Sequence, residues 1–74
     1  MNLEKTSLDQ LRKMLIRIDR QLTEDELFLE SVREGTRHEP VWRVGAVRAR
    51  IETKQEERRE VQERIQAVMH RALG

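Results

Sequence analysis

Gly35-Thr36-Arg37-His38-Glu39-Pro40 is the segment that divides this chain, because a long stretch with helical periodicity runs away from it on each side. The segment holds the only proline of the chain and one of its three glycines. Glycine is favoured just after the end of a helix, and proline is favoured in the first turn of one. The sequence therefore predicts a turn over residues 35–40 between two helices, at about 7–34 and about 40–72.

The stretch before the turn keeps a heptad repeat without slippage, with aliphatic residues at seven of its eight a and d positions. These positions are Leu8, Leu15, Leu22 and Leu29 at a, and Leu11, Ile18, Asp25 and Val32 at d. Such spacing is typical of the apolar stripe of a coiled coil. A capping-box pattern from Ser7 to Gln10 predicts where the helix begins. A second such pattern starts at Thr23, but the unbroken heptad favours one continuous helix.

The stretch after the turn carries a second heptad repeat, in which seven of nine a and d positions are apolar. These positions are Val44, Ile51, Arg58, Ile65 and Ala72 at a, and Val47, Lys54, Val61 and Val68 at d. We call the a and d positions of both stretches the seam. A short connection forces two neighbouring helices to be antiparallel. The predicted fold is therefore all-α, an antiparallel, coiled-coil-like two-helix hairpin that forms a single domain over residues 1–74.

Three charged residues interrupt the seam, and folding the chain at the turn brings them near one another. Residues of the two helices lie level when their numbers add to about 76 to 80. This register places Asp25 beside Lys54, with Arg58 one helical turn further along. A buried acid that faces one or two bases penalises slipped registers. The sequence therefore predicts a polar network of Asp25, Lys54 and Arg58 within the seam.

The composition predicts a small helical protein that needs a partner to complete its core. Of its 74 residues, 36% are hydrophobic and 39% are charged, and there is no cysteine, so disulfides and thiolate metal sites are excluded. Domains of this size commonly depend on oligomerisation, and we expect a homodimer that forms a four-helix bundle. No apolar run approaches the length of a membrane span, so we expect a cytoplasmic protein with no membrane partner.

Several hydrophobic residues fall outside the seam, and those near the turn form a candidate partner-binding site. We call this set the turn-end patch, and its residues are Leu27, Phe28, Arg37, Val41, Trp42 and Arg43. Further arginines, Arg33 and Arg48, flank it. Tryptophan and arginine dominate the energetics of protein interfaces, which favours a binding role. A local cap over the turn is an equally simple interpretation of the same residues.

The chain lacks the usual signatures of catalysis. His38 and His70 lie at opposite ends of the predicted hairpin, and neither has a second histidine at metal-ligand spacing. There is no glycine-rich phosphate loop and no nucleophile motif. We therefore predict that the protein is not an enzyme and uses no metal or cofactor.

One stretch nevertheless provides an enzyme-class alternative. Leu11-Arg12-Lys13, followed after four residues by Ile18-Asp19-Arg20-Gln21-Leu22, resembles the first helix of the all-helical chorismate mutases. The resemblance covers about a dozen residues and implies that Arg12 reaches the substrate. Leu15-Ile16 stand where that family usually has Ile-Asp, and that family's following basic segment and third helix are missing.

Charge is unevenly distributed along the chain, which bears on its partners. Residues 23–34 carry a net charge of −4 and residues 35–50 a net charge of +3, although the whole chain is only +1. Solvated helix faces explain such blocks in the simplest case. The sequence favours a small protein-interaction module, acting as an adaptor, inhibitor or assembly factor. The alternative is a nucleic-acid-binding helical bundle that contacts phosphates through the arginine-rich residues 33–50.

Overall fold

The computed structural model describes Leu3 and residues 5–73, and it consists of two helices packed against each other. The first helix, α1, spans Leu8–Arg33, and the second, α2, spans Val41–Leu73. Interhelical ion pairs join residue 25 to residue 50 and residue 19 to residue 58, so the helices are antiparallel. No strand occurs in the described residues. The prediction of an all-helical hairpin is confirmed.

Helix α1 begins with the predicted capping box. The Ser7 hydroxyl accepts a hydrogen bond from the Gln10 backbone N–H, and the Gln10 side chain accepts one from the Ser7 N–H, both at 3.2 Å. These bonds satisfy two N–H groups that a helix start leaves without partners. The helix continues through Thr23, whose hydroxyl donates to the carbonyl of Asp19 at 2.9 Å instead of capping a new helix.

The turn is a Schellman motif, and it explains the position of Gly35. The N–H of Thr36 donates to the carbonyl of Ser31 at 3.0 Å, and the N–H of Gly35 donates to that of Val32 at 3.2 Å. This arrangement requires a left-handed residue just after the helix, and Gly35 has a φ of +80°. Glycine adopts this conformation without the steric cost that a Cβ would bring.

Helix α2 begins at Val41, one residue after the predicted start. The carbonyl of Pro40 accepts hydrogen bonds from the N–H groups of Arg43 at 3.0 Å and Val44 at 3.2 Å, so Pro40 precedes the first helical residue. The fixed φ of proline suits the entry of a helix, and its missing N–H leaves no unsatisfied donor there.

The core occupies the predicted seam. Every residue that is buried in the described part of the chain falls on an a or d position, namely Leu11, Ile18, Leu22, Asp25, Val47 and Val61. Leu11 and Val61 are fully enclosed. Burying an aliphatic side chain of this size stabilises the folded state by roughly 1.5–3 kcal/mol. The heptad repeat therefore identified the packed face of each helix.

The segment before α1 packs back onto the hairpin. Leu3 contacts the core cluster, and its carbonyl accepts a hydrogen bond from the side chain of Arg64 at 3.2 Å. Frayed ends are the usual expectation for the first residues of a domain, and the sequence predicts one over residues 1–5. That prediction is wrong for Leu3, because its apolar side chain extends the core. Residues 1, 2 and 4 lie outside the described residues.

The hairpin is long and thin, with extents of 51 × 18 × 15 Å. Its length matches that of α2, since 33 helical residues at 1.5 Å each span about 50 Å. A single pair of helices leaves most of each helix surface in water. The turn end, where the chain reverses, is the part that brings side chains from both helices and the connection together.

Candidate functional site

Two arginines stack on Phe28 at the turn end. The guanidinium carbon of Arg37 lies 5.1 Å from the centre of the Phe28 ring, and that of Arg43 lies 5.9 Å from it. Both distances are within the range of cation–π attraction, in which the negative face of the ring holds the cation. The Schellman turn supplies Arg37 and the first turn of α2 supplies Arg43, so the fold of the connection builds this contact.

An ion pair between the buried Asp25 and the exposed Arg50 lies next to this stack. Asp25 is only 5% exposed, and Arg50 holds its carboxylate through two hydrogen bonds. The Arg50 Nε donates to Oδ2 at 2.8 Å and Nη2 donates to Oδ1 at 2.5 Å, in the parallel geometry that suits a guanidinium and a carboxylate. The hydrogen bond to Asp25 and the charge of Asp25, with a smaller contribution from Glu24, raise the pKa of Arg50. Arg50 therefore stays charged and neutralises Asp25.

The stack and the ion pair line one groove of about 360 Å³, which we call the polar groove. Its charged and aromatic residues are Glu24, Asp25, Phe28, Arg37, Arg43 and Arg50. A second, shallower groove of about 240 Å³ adjoins it, and we call this the apolar groove because Leu27 lines it. The two grooves share Glu24, Phe28 and Arg37. The ring of Phe28 and the side chain of Arg37 therefore form the ridge between them.

The structure divides the predicted turn-end patch into two parts. Phe28, Arg37 and Arg43 come together, and Leu27 lies beside them in the apolar groove. Val41 and Trp42 line neither groove and are 88% and 72% exposed. The local-cap interpretation therefore describes Phe28, which is half-buried beneath its two arginines. It does not describe Trp42, whose ring stands in solvent.

The predicted polar network of the seam is wrong in its pairing. Asp25 is buried at the seam, but its partner is Arg50, while Lys54 pairs with Glu57 within α2 at 3.2 Å. Arg58 pairs with Asp19 of α1, with Nε and Oδ1 2.5 Å apart. The residue numbers in the interhelical pairs add to 75 and 77, so Asp25 lies level with the turn of α2 that precedes Lys54.

Sequence reasoning missed Arg50 and Asp19 because both flank the seam instead of occupying it. Arg50 is at position g of its heptad and Asp19 is at position e of its own. Residues at e and g commonly form the salt bridges between the helices of a coiled coil. Including those positions in the search for a partner of Asp25 would have identified Arg50 as a candidate.

The residue implied by the chorismate mutase resemblance stands apart from these features. Arg12 is exposed on α1 and lines neither the polar groove nor the apolar groove. Among residues 5–73 and Leu3, no group of three or more histidine, aspartate or glutamate side chains is arranged to hold a metal ion.

Comparisons with protein-family models, with curated proteins and with solved structures find no match to this chain. Neither helix, over the residues described, combines the length and the apolar character needed to cross a membrane. The case for function therefore rests on the geometry of the hairpin.

Proposed function

We propose that this chain is a protein-interaction module, an adaptor, inhibitor or assembly factor, that binds its partner through the turn-end patch. The observation that carries the proposal is the exposure of Trp42, an aromatic side chain that the hairpin leaves 72% in solvent. Tryptophan is the residue type most enriched at the energetic centres of protein interfaces. Its large apolar surface stabilises a complex only when a partner covers it.

Other residues of the turn end support this role. Val41 and Leu27 are further exposed hydrophobic residues there, and Arg37 and Arg43 lie over the ring of Phe28 at the same end of the hairpin. A mixed surface of aromatic, aliphatic and arginine side chains is the composition found at the centre of protein interfaces. Arginine also contributes apolar surface along its stem, so the patch offers more buried area than its hydrophobic residues alone.

We further propose that the hairpin associates with a second copy of itself into a four-helix bundle. The chain exposes 5941 Å² of surface. A compact monomer of 8.9 kDa exposes about 4,800 Å², so the excess is roughly 1,100 Å². One partner in an interface of ordinary size buries about 800 Å². The exposed hydrophobic side chain of Met69, near the end of α2, is part of the surface that such an interface would cover.

The ion pairs argue for a protein partner over a nucleic acid. Binding to phosphates needs arginines whose charge is available, because affinity comes from neutralising the phosphate backbone. Within the arginine-rich residues 33–50, Arg50 is held by Asp25 and Arg43 lies 3.5 Å from Glu39. Glu24 and Asp25 also line the polar groove. These carboxylates reduce the positive potential that a polyphosphate would meet.

The test compares proteins captured by three immobilised versions of the full chain: the native chain, Trp42→Ala and Ile16→Ala. Ile16 is a matched control, because it is also an exposed hydrophobic residue but lies on α1 away from the turn. The proposal expects Trp42→Ala to lose partners that both the native chain and Ile16→Ala retain, with equal helicity in all three. Capture that is the same for all three versions would contradict it, and so would losses that follow unfolding.

A further inference from the structure

We infer that the polar groove binds a carboxylate of the protein partner, presented by an acidic residue that has an apolar neighbour. This inference rests on the proposed function and specifies the chemistry of the partner. It begins with the guanidinium groups of Arg37 and Arg43, which the ring of Phe28 holds near each other.

The two arginines retain unused donors. A guanidinium held over an aromatic ring keeps N–H groups that can still bind a carboxylate. Arg37 forms no ion pair with any described residue, and Arg43 has only the 3.5 Å contact with Glu39, which is too long for a hydrogen bond with good geometry. The groove thus contains the guanidinium of Arg37, which is held over Phe28 and has no ion pair with any described residue, beside that of Arg43, whose ion pair with Glu39 is long.

Arg50 shows the geometry that such a site can offer. In the same groove its fork already holds the Asp25 carboxylate through two hydrogen bonds. That pair is neutral overall, and Glu39 opposes the charge of Arg43, so the guanidinium most available to a ligand is that of Arg37.

The apolar groove indicates which kind of side chain lies next to the carboxylate in the ligand. It adjoins the polar groove across the ridge of Phe28 and Arg37, and Leu27 is its exposed hydrophobic residue. A ligand that places a carboxylate in the polar groove can therefore set a neighbouring apolar side chain against Leu27. A nucleic acid offers no such side chain, and its closely spaced phosphates would meet Glu24. The complementary ligand is an acidic segment of protein.

The experiment titrates the ¹⁵N-labelled full chain with a synthetic peptide of alternating glutamate and leucine and follows the Arg Nε–H signals by NMR. We expect the signals of Arg37 and Arg43 to shift, because the carboxylate accepts their N–H groups. We expect Arg37→Gln to weaken binding at least tenfold, because a charge-assisted hydrogen bond is lost. Arg48→Gln is the matched control, since Arg48 is exposed on α2, outside both grooves, and the net charge changes equally. It should weaken binding less than twofold.

Three outcomes would overturn the inference. The first is an equal loss of peptide affinity in Arg37→Gln and Arg48→Gln, which indicates unspecific electrostatic attraction. The second is equal binding of a peptide with glutamine in place of glutamate. The third is tighter binding of a single-stranded oligonucleotide than of the peptide at physiological salt. If Trp42→Ala still abolishes partner capture while Arg37→Gln leaves both capture and peptide binding intact, the interaction module stands and the carboxylate site falls.

Discussion

Asp25 is the residue on which the hairpin's polar contacts depend most, because it is buried and charged. Its partner Arg50 is in a different position, since 57% of the Arg50 side chain is exposed. An arginine that faces water can be solvated when its acid is removed, whereas a buried carboxylate without its base has no alternative partner. The two halves of this ion pair should therefore respond differently to substitution.

We predict that Arg50→Met destabilises the protein much more than Asp25→Leu. Leaving a buried acceptor unsatisfied costs about 1–3 kcal/mol, and each kcal/mol lowers the melting temperature of a domain this size by about 4–8 °C. Arg50→Met should thus melt at least about 4 °C lower. Asp25→Leu places an aliphatic residue in the seam beside Val47 and should melt near the native temperature or above it. Thermal melts by circular dichroism measure both, with the exposed Arg48→Met as control. Equal losses for the two variants would show that Arg50 is as poorly solvated as Asp25.

The stability of α2 should depend on pH through Glu56. The hydrogen bond from Arg59, and then the charge of Arg59, lower the pKa of Glu56 below its ordinary value of 4.5. A carboxyl group with a lowered pKa stabilises the folded state above its unfolded pKa, and this contribution disappears as the pH falls through the lowered value. Arg59 also donates to Glu63 at 3.3 Å, so it holds acids on both sides along the helix surface.

We therefore predict that Glu56→Gln slightly lowers the melting temperature at pH 7 and lowers it less at pH 3, because protonation of the native carboxyl weakens the ion pair as the pH falls toward the lowered pKa. The effect is small because the pair is on the surface. Glu52→Gln is the control, since Glu52 is an exposed glutamate of α2 with no ion pair to any described residue. Melts at the two pH values measure the difference. If Glu56→Gln lowers the melting temperature by the same amount at pH 3 as at pH 7, the ion pair is not the cause of the effect.

At the scale of the elements, the connection and α2 contain glycines with opposite roles. Gly35 has a φ of +80°, whereas Gly45 lies within α2 without such a backbone conformation. A Cβ built at either position meets no atom within 4 Å, so neither glycine is needed to avoid a clash with the rest of the hairpin. The backbone alone decides the effect of an alanine at each site.

We predict opposite signs for Gly35→Ala and Gly45→Ala. The first should destabilise the protein by about 1 kcal/mol or more, because alanine is strained in a left-handed conformation. The second should stabilise it by about 0.5–1 kcal/mol, because glycine in a helix interior costs conformational entropy. Urea unfolding of the two variants provides the comparison, each acting as the control for the other. A stabilised Gly35→Ala would mean that the Schellman turn is not maintained in solution.

At the scale of the whole molecule, the core is small, and this bears on whether the protein associates with itself. Five hydrophobic residues are buried in the described part of a chain of 74 residues. Below about 70–80 residues a single core rarely supplies more than about 3–5 kcal/mol, and small proteins commonly gain the rest from oligomerisation. The homodimer proposed above would bury part of the surface that each hairpin exposes.

We predict that the melting temperature rises with protein concentration, because dimerisation couples folding to mass action. Sedimentation should give twice the mass of the 8.9 kDa chain at micromolar concentration. Leu11→Ala is a useful comparison, since it removes a fully buried core side chain and should lower stability by about 2–5 kcal/mol at every concentration. A folded monomer at low micromolar concentration, with a melting temperature independent of dilution, would exclude the dimer.

The sequence by itself determined the elements and the packed faces. Gly35 and Pro40 marked the connection, Ser7 and Gln10 marked the start of α1, and the two heptads contained every buried residue of the described chain. These features are local, because capping, left-handed backbone and helical periodicity are expressed within a few neighbouring residues. The seam follows from helix geometry. With 3.6 residues per turn, apolar residues spaced three and four apart lie on one face of a helix.

Only the tertiary structure decided which side chains meet across the hairpin. The predicted partner of Asp25, Lys54, is four residues from the observed Arg50, a displacement of about 6 Å along α2. The heptad repeat is compatible with either partner. A long arginine at a flanking position can reach the seam, and so can a lysine at a seam position. The stacking of Arg37 and Arg43 on Phe28 likewise depends on the path of the turn, which places residues far apart in sequence around one ring.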